Sequence, residues 1–205
     1  MLVGVGLGPG DPELLTLRAV RRLREADTVF VPGKLAYELV RPYRDDAEIL
    51  EFPMTSDEAY ILECMERNAD RIAPAAEKGL AVFGIIGDPN FYSTFSRLCG
   101  MIAEKHPDIE FSTDPGISSI TAFASVAGVP VAGGFIVSDG PEPGSRIFMK
   151  VRKPAAMAEE LRRDGYTEFV LVERMFMDGQ RVYRSNDLPE TSDYFSIMFA
   201  RRLHG

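Results

Sequence analysis

Short apolar runs alternate with segments of helical periodicity along the first half of the chain. The runs predict buried strands at 3–7, 28–32, 48–52, 79–86 and 109–111. Between them, apolar residues recurring every three or four positions predict helices at 13–26, 35–41, 57–78 and 92–105, and another in the second half of 113–128. Because right-handed crossovers return each strand in the same direction, this α/β pattern predicts a mainly parallel sheet covered by helices on both faces.

The pattern changes after about residue 115. Strand-like segments at 133–140 and 145–151 flank the turn-rich sequence "DGPEPGS", and a helix at 154–163 and a strand at 168–173 follow. Two further strand-like segments, "QRVYR" and "YFSIMFARR", complete the chain. More strands with fewer helices predict a second α/β domain with a mixed sheet. We therefore expect two domains, 1–114 and 115–205.

The first strand runs into a glycine-rich turn, "GLGPGDP". Counted from Gly4, the third glycine of a dinucleotide fingerprint is replaced by Pro9, and counted from Gly6 it is replaced by Asp11. Pro9 also lacks a backbone N–H, and Asp11 would repel a phosphate from the following helix, for which it is the predicted N-cap. The turn therefore suits a bulky neutral or flat ligand, or is a tight connection that contacts no ligand.

Two later turns repeat this design at strand ends. "GDPN" follows the fourth strand and "PGISS" follows the fifth. Their simplest structural interpretation is helix capping, by Asp88 in one and by Ser118 and Ser119 in the other. Since carboxyl ends of parallel strands share one sheet edge, where open α/β sheets bind ligands, we expect all three turns to converge on one site.

Composition narrows the function. The net charge of −8 disfavours nucleic acid as a partner, and neither a membrane-length apolar run nor a signal peptide is present, so we expect a cytoplasmic protein. Only Cys64 and Cys99, and only His106 and His204, are available to bind metal, and their spacing predicts neither an iron–sulfur cluster nor another metal site.

Four ordered blocks resemble the tetrapyrrole methylases: "GVGLGPGDPELLTLRAVRRLREADTVFVP", "GDPNFYSTF", "PGISSITAFA", and "LVERM" with the late "YFSIMFARR". Within that family, "VFVPG", "AYELV", "FPMT" and "GDPNFYSTFSRL" are most similar to the enzymes that methylate C(20) of precorrin-2 or cobalt-precorrin-2 in cobalamin biosynthesis. The chain is short for such an enzyme, and the stretch "DGPEPGSRIFMK" is where we expect the shortening.

The resemblance implies S-adenosylmethionine bound in a cleft between two domains, S-adenosylhomocysteine as product, and a homodimer. Matched by motif, the residues implied to contact the cofactor are Pro9, Ile86, Gly87, Asp88, Phe91, Ser118, Ser119, Met149, Met175 and Ala200. Core packing is the alternative for Met149, Met175 and Phe91.

The implied reaction is direct displacement of the methyl group by a carbon of the macrocycle, which needs alignment more than a protein nucleophile. Asp88 and Glu173 are the candidate proton acceptors. The substrate carries acetate and propionate groups, and any cobalt belongs to it rather than to a site on the chain. Candidate substrate-binding residues are Gly8, Gly10, Asp11, Arg18, Lys34, Arg97, Lys150 and Arg174.

Several alternatives remain open. The nearest is methylation at another macrocycle position, as by uroporphyrinogen III methyltransferases of siroheme synthesis. Diphthine synthases and ribosomal RNA ribose methylases are further relatives, and the acidic charge disfavours the RNA activity. A nicotinamide oxidoreductase would need the fingerprint that is missing, and a noncatalytic module would bind S-adenosylmethionine or tetrapyrrole without forming S-adenosylhomocysteine.

Overall fold

The computed structural model describes residues 1–137 and 144–202. Most of "DGPEPGS", where shortening is expected, and His204 lie outside the described residues. The chain divides into two compact units, Met1–Ala132 and Gly133–Gly205. The first unit extends past residue 114, where the sequence predicts the domain boundary, and it includes a helix at Ser119–Ala127. The boundary at residue 114 stays a prediction.

The first unit contains a five-stranded parallel sheet. Its strands are β1 (Leu2–Gly6), β2 (Thr28–Pro32), β3 (Glu48–Leu50), β4 (Ala81–Ile85) and β5 (Phe111–Asp114). They lie in the order β3-β2-β4-β1-β5, and every pair is parallel. The central strands β1 and β4 are buried along their whole length, as expected for a sheet covered on both faces. The predicted parallel α/β architecture is confirmed.

Helices cover the two faces of this sheet in pairs. The helices of the unit are α1 (Leu17–Glu25), α2 (Lys34–Val40), α3 (Glu58–Lys78), α4 (Phe95–Lys105) and α5 (Ser119–Ala127). Helices α1 and α2 share a core with Val3 and Val5, whereas α3 and α4 share the other core with Phe30 and Phe83. The helices that follow β1 and β4 therefore lie on opposite faces of the sheet. This reversal makes the carboxyl ends of these adjacent strands a topological switch point, where open sheets bind ligands.

The predicted helix at 13–26 is divided in the structure. Asp11 caps a single 3-10 turn, Pro12–Leu14, by accepting a hydrogen bond from the N–H of Glu13 at 2.9 Å. Helix α1 then begins again at Leu17 with Thr16 as its N-cap. Asp11 is thus an N-cap as predicted, but of a short turn, because the hydroxyl of Thr16 provides a second start signal.

The second unit contains a four-stranded sheet and one helix. The elements are β6 (Ser145–Met149), α6 (Pro154–Arg163), β7 (Glu168–Glu173), β8 (Arg181–Arg184) and β9 (Ser196–Arg201). The strand order is β6-β9-β7-β8, and all three pairs are antiparallel. Helix α6 packs on the sheet around Phe169 and Leu171.

Two sequence predictions for this unit are wrong. The sheet formed by the described strands is antiparallel rather than mixed. Strands β6 and β7 run in the same direction, but β9 lies between them and is antiparallel to both. Residues 133–137 form no strand, although their apolar run resembles one, and the remainder of the predicted strand at 133–140 lies outside the described residues. Within the described parts of the chain, no helix combines the length and apolar character needed to cross a bilayer.

Phe83 provides a test of the core of the first unit. Its buried ring, in the centre of β4, lies between Phe52 and Phe95, with ring centroids 5.4 and 6.2 Å away. We expect Phe83→Ala to lower the free energy of unfolding by about 3–5 kcal/mol, because the neighbouring rings cannot refill the cavity. Urea unfolding followed by circular dichroism measures this. Leu17→Ala, at an exposed position, is the control, and an equal loss in both variants would contradict the assignment of Phe83 to the core.

Candidate active site

Three glycines bring together the turns that follow β1, β4 and β5. A Cβ atom on Gly116 would lie 2.2 Å from the carbonyl oxygen of Gly87 and 2.7 Å from Cα of Gly6. The N–H of Gly87 donates to the carbonyl of Gly8 at 2.7 Å, in an isolated antiparallel bridge beyond the ends of the parallel strands β1 and β4. The convergence of the three turns, predicted from sequence, is thus achieved by direct backbone contact that only glycine permits.

Asp88 connects two of these turns. Its side chain is only 8% exposed, and its two oxygens accept from two backbone donors: Oδ1 from the N–H of Asn90 at 2.9 Å and Oδ2 from the N–H of Gly116 at 3.1 Å. The capping interpretation of Asp88 is wrong, because α4 begins only at Phe95. Buried carboxylates require such donors, so Asp88 serves to hold the turn after β5 against the turn after β4.

Apolar side chains and open backbone surround this junction. Ile86, Ile117 and Phe91 are partly exposed, with 47% of Phe91 accessible, so the core-packing alternative is wrong for Phe91. Gly87 has a φ of +78° and no neighbour within 4 Å of the position a Cβ would take. Pro9 is half-buried beside the buried Gly8, whereas Gly10 has a φ of +136° and is exposed. This edge of the sheet presents an open, largely apolar surface.

The two serines lie at the start of α5. Ser118 is its N-cap and accepts from the N–H of Ile120 at 3.3 Å, so its capping interpretation is confirmed. Ser119 is the first helical residue and is exposed, so the capping interpretation is wrong for Ser119. Neither position excludes a ligand contact.

Two of the first unit's candidate substrate-binding cations, Arg18 and Arg97, form ion pairs with carboxylates of the protein. Arg18 lies 3.8 Å from the buried Asp114 at the end of β5, and Arg22, which the sequence did not single out, donates to the same carboxylate at 2.8 Å. Arg97 lies 3.8 Å from Glu58. Lys34 is exposed at the first position of α2, directly after the N-cap Gly33.

In the second unit, the candidate methionines are accessible and the candidate alanine is not. Met149 is 72% exposed and Met175 is 43% exposed, so core packing is the wrong interpretation of both. Ala200 is completely buried in the core beneath α6. Since the whole residue is buried and its strand is paired on both sides, neither the side chain nor the backbone of Ala200 is accessible.

The charged candidates of this unit lie where β6 and β7 end. Buried Glu173 accepts from the N–H of Asp193 at 3.1 Å and contacts the hydroxyl of Tyr183 at 3.4 Å. Arg174, with a φ of +50°, donates to the carbonyl of Asp178 at 2.7 Å and lies 3.7 Å from the carboxylate of Asp193. Lys150, with a φ of +57°, has its ammonium 5.3 Å from the ring centre of Tyr194.

The chain's thiols do not resemble catalytic nucleophiles. Cys64 is buried, and burial raises the pKa of the Cys99 thiol to about 12, so Cys99 is protonated at neutral pH. Among residues 1–137 and 144–202, no group of three histidine, cysteine or carboxylate side chains is arranged to hold a metal ion.

Comparison with known proteins identifies the family. The profile of the Tetrapyrrole (Corrin/Porphyrin) Methylases matches residues 1–187. The chain belongs to the tetrapyrrole methylases. This is a family of S-adenosylmethionine-dependent methyltransferases, so the predicted enzyme class is confirmed.

Relatives of this tetrapyrrole methylase include cobalamin-biosynthesis proteins. A "probable cobalt-precorrin-2 C(20)-methyltransferase" of Methanocaldococcus jannaschii is 32% identical over 97% of this chain and 95% of its own length. The precorrin-2 C(20)-methyltransferase of a Sinorhizobium species is 35% identical over 65% of this chain and 60% of its own. The crystal structure of the methyltransferase CobJ superposes with a TM-score of 0.51 over 98% of this chain and 93% of its own, at 21% identity, and supports the fold.

The glycine contact between strand ends provides a second test. We expect Gly116→Ala to lower the free energy of unfolding by at least about 1 kcal/mol and to weaken S-adenosylmethionine binding, because the added methyl group would collide with backbone atoms that cannot rotate away. Thermal unfolding and calorimetric titration measure both effects. Gly100→Ala is the matched control, since this exposed helical glycine has open space and should gain up to about 1 kcal/mol. Unchanged stability of Gly116→Ala would be incompatible with the close approach.

Proposed function

We propose that this tetrapyrrole methylase transfers a methyl group from S-adenosylmethionine to C(20) of precorrin-2 or cobalt-precorrin-2. The observation that carries the proposal is the similarity to the archaeal relative, which extends over nearly the whole of both chains. Cobalt, where present, is part of the substrate. We also propose that the protein acts in cobalamin synthesis as a cytoplasmic homodimer. The pathway and the homodimer rest on the family resemblance, and the location rests on the apolar pattern of the sequence.

The residues at the two sheet edges fit this cofactor. The flat adenine ring and the aliphatic part of the methionine chain need apolar surface and accessible backbone, and the first unit offers both around Gly87, Ile86 and Phe91. The exposed Met149 and Met175 are the candidate cofactor contacts of the second unit. The candidate contacts of the first unit are Pro9, Ile86, Gly87, Asp88, Phe91, Ser118 and Ser119. When bound, S-adenosylmethionine supplies the activated methyl group.

The contribution of the protein is orientation. The three-glycine contact and the hydrogen bonds of Asp88 hold the turns of the first unit in one arrangement, so little conformational freedom remains to be lost on binding. Asp88 and Glu173 each use their carboxylate oxygens to accept from donors within their own unit. This favours a positioning role for both over proton transfer.

The assay of the proposal uses the purified protein with S-adenosylmethionine and either precorrin-2 or cobalt-precorrin-2. We expect the tetrapyrrole to gain the mass of one methyl group and S-adenosylhomocysteine to form in equal amount. NMR of a product made with a carbon-13 methyl group identifies the methylated carbon. A mass gain at another carbon, or none with either substrate, would refute C(20) methylation.

Asp88 offers a test of positioning. In Asp88→Asn one accepting oxygen becomes a donor, so one of the two backbone N–H groups loses its partner at a buried position. We expect about tenfold weaker binding of S-adenosylmethionine by isothermal titration. Asp57→Asn is the control, because one oxygen of Asp57 accepts both N–H groups at the start of α3, and asparagine can do the same. Equal affinity in the wild type and Asp88→Asn would exclude this role.

A further inference from the structure

The end of β6 is tightly joined to the turn that precedes β9. The N–H of Lys150 donates to the carbonyl of Ser196 at 2.8 Å, and the N–H of Ser192 donates to the carbonyl of Arg152 at 3.1 Å. Between these two bonds, the hydroxyl of Ser196 donates to the carbonyl of the buried Val151 at 2.6 Å. Side chains that project from these two segments therefore have a fixed backbone beneath them.

Two cations share one aromatic ring at this place. The ammonium of Lys150 and the guanidinium carbon of Arg152 each lie 5.3 Å from the ring centre of Tyr194. The rings of Phe195 and Tyr194 are packed edge to face, with their centres 5.3 Å apart. The carboxylate of Asp193 accepts a hydrogen bond from the backbone N–H of Phe195 at 2.8 Å. Tyr194 remains 44% exposed, so the cations and the ring are accessible together.

Among the described residues, these two cations have no carboxylate counter-ion. None of the ion pairs among the described residues includes Lys150 or Arg152. The nearby carboxylates are engaged otherwise, Asp193 with Arg174 and Glu173 with the N–H of Asp193. Two like charges on one ring repel each other, and an anion between or beside them would relieve that repulsion.

We propose that Lys150, Arg152 and Tyr194 form a carboxylate-binding subsite for the acetate and propionate groups of the tetrapyrrole. This inference rests on the proposed function. The guanidinium offers a planar fork that matches one carboxylate, the ammonium attracts a second, and Tyr194 supplies an apolar face between them. The carboxylate of S-adenosylmethionine is the other possible source of this chemistry, but a single carboxylate leaves one of the two cations unmatched.

The kinetic test compares Lys150→Gln, Arg152→Gln and Arg152→Lys with the wild type. We expect each glutamine variant to raise KM for the tetrapyrrole about tenfold while kcat and KM for S-adenosylmethionine stay unchanged. Arg152→Lys, which keeps the charge but loses the fork, should fall between. Arg163→Gln removes an exposed cation at the other end of α6 and should behave as wild type. A rise in KM for S-adenosylmethionine alone would overturn the assignment to the tetrapyrrole.

A binding measurement keeps this inference separate from the methylation reaction. Uroporphyrin, a stable tetrapyrrole polycarboxylate, is titrated into the full-length protein and followed by its fluorescence. We expect Lys150→Gln/Arg152→Gln to lose at least about tenfold in affinity at low salt, and Arg163→Gln to lose none. If the wild type methylates neither precorrin-2 nor cobalt-precorrin-2 but this difference persists, the proposed function fails and the subsite stands. No binding by the wild type, or equal binding by the double variant, would refute the subsite.

Discussion

Backbone contact between Gly6, Gly87 and Gly116 is the constraint on which the first unit's candidate site depends. Three strands of a parallel sheet end beside one another in any such fold, but their turns normally diverge to make room for side chains. Here the absence of Cβ atoms lets the turns touch, and Asp88 holds that contact by accepting from the N–H of Gly116. The surrounding surface is open and apolar because the turns are held by their backbone rather than by side chains packed above them.

The second unit reaches a rigid edge by different means. Its strands are antiparallel, and the loops at the ends of β6 and β7 are anchored to the turn before β9 through Ser196 and Glu173. Lys150 and Arg174 both adopt positive φ there, and the hydrogen bonds from their N–H groups to this turn offset the strain of that conformation. Each unit thus offers a fixed surface, one with little charge and one with exposed cations.

Local patterns determined much of this before any tertiary contact. The strand runs, the parallel sheet, the caps at Asp11 and Ser118 and the family resemblance all depend on residues close in sequence. The same patterns misled where two signals competed. The Asp–Pro pair at Asp88 predicts a helix start, but helix α4 begins only at Phe95, after Tyr92 has adopted a positive φ. The sequence also predicted a mixed second sheet, and this was wrong. Whether neighbouring strands are parallel depends on which strand inserts between which, and this order is set by tertiary contacts.

The sequence alone determined the fold class and the three turns that meet at one edge, because periodicity and motif spacing are local properties. The enzyme class was implied by the resemblance of its motifs to a known family. Only the tertiary structure decided what each charged group does. Asp88 accepts from a residue 28 positions away, Arg22 pairs with Asp114 across 92 positions, and Lys150 and Arg152 meet Tyr194 after the chain has passed through α6, β7 and β8. A side chain's partner is chosen by packing, and packing brings together residues whose separation along the chain carries no signal.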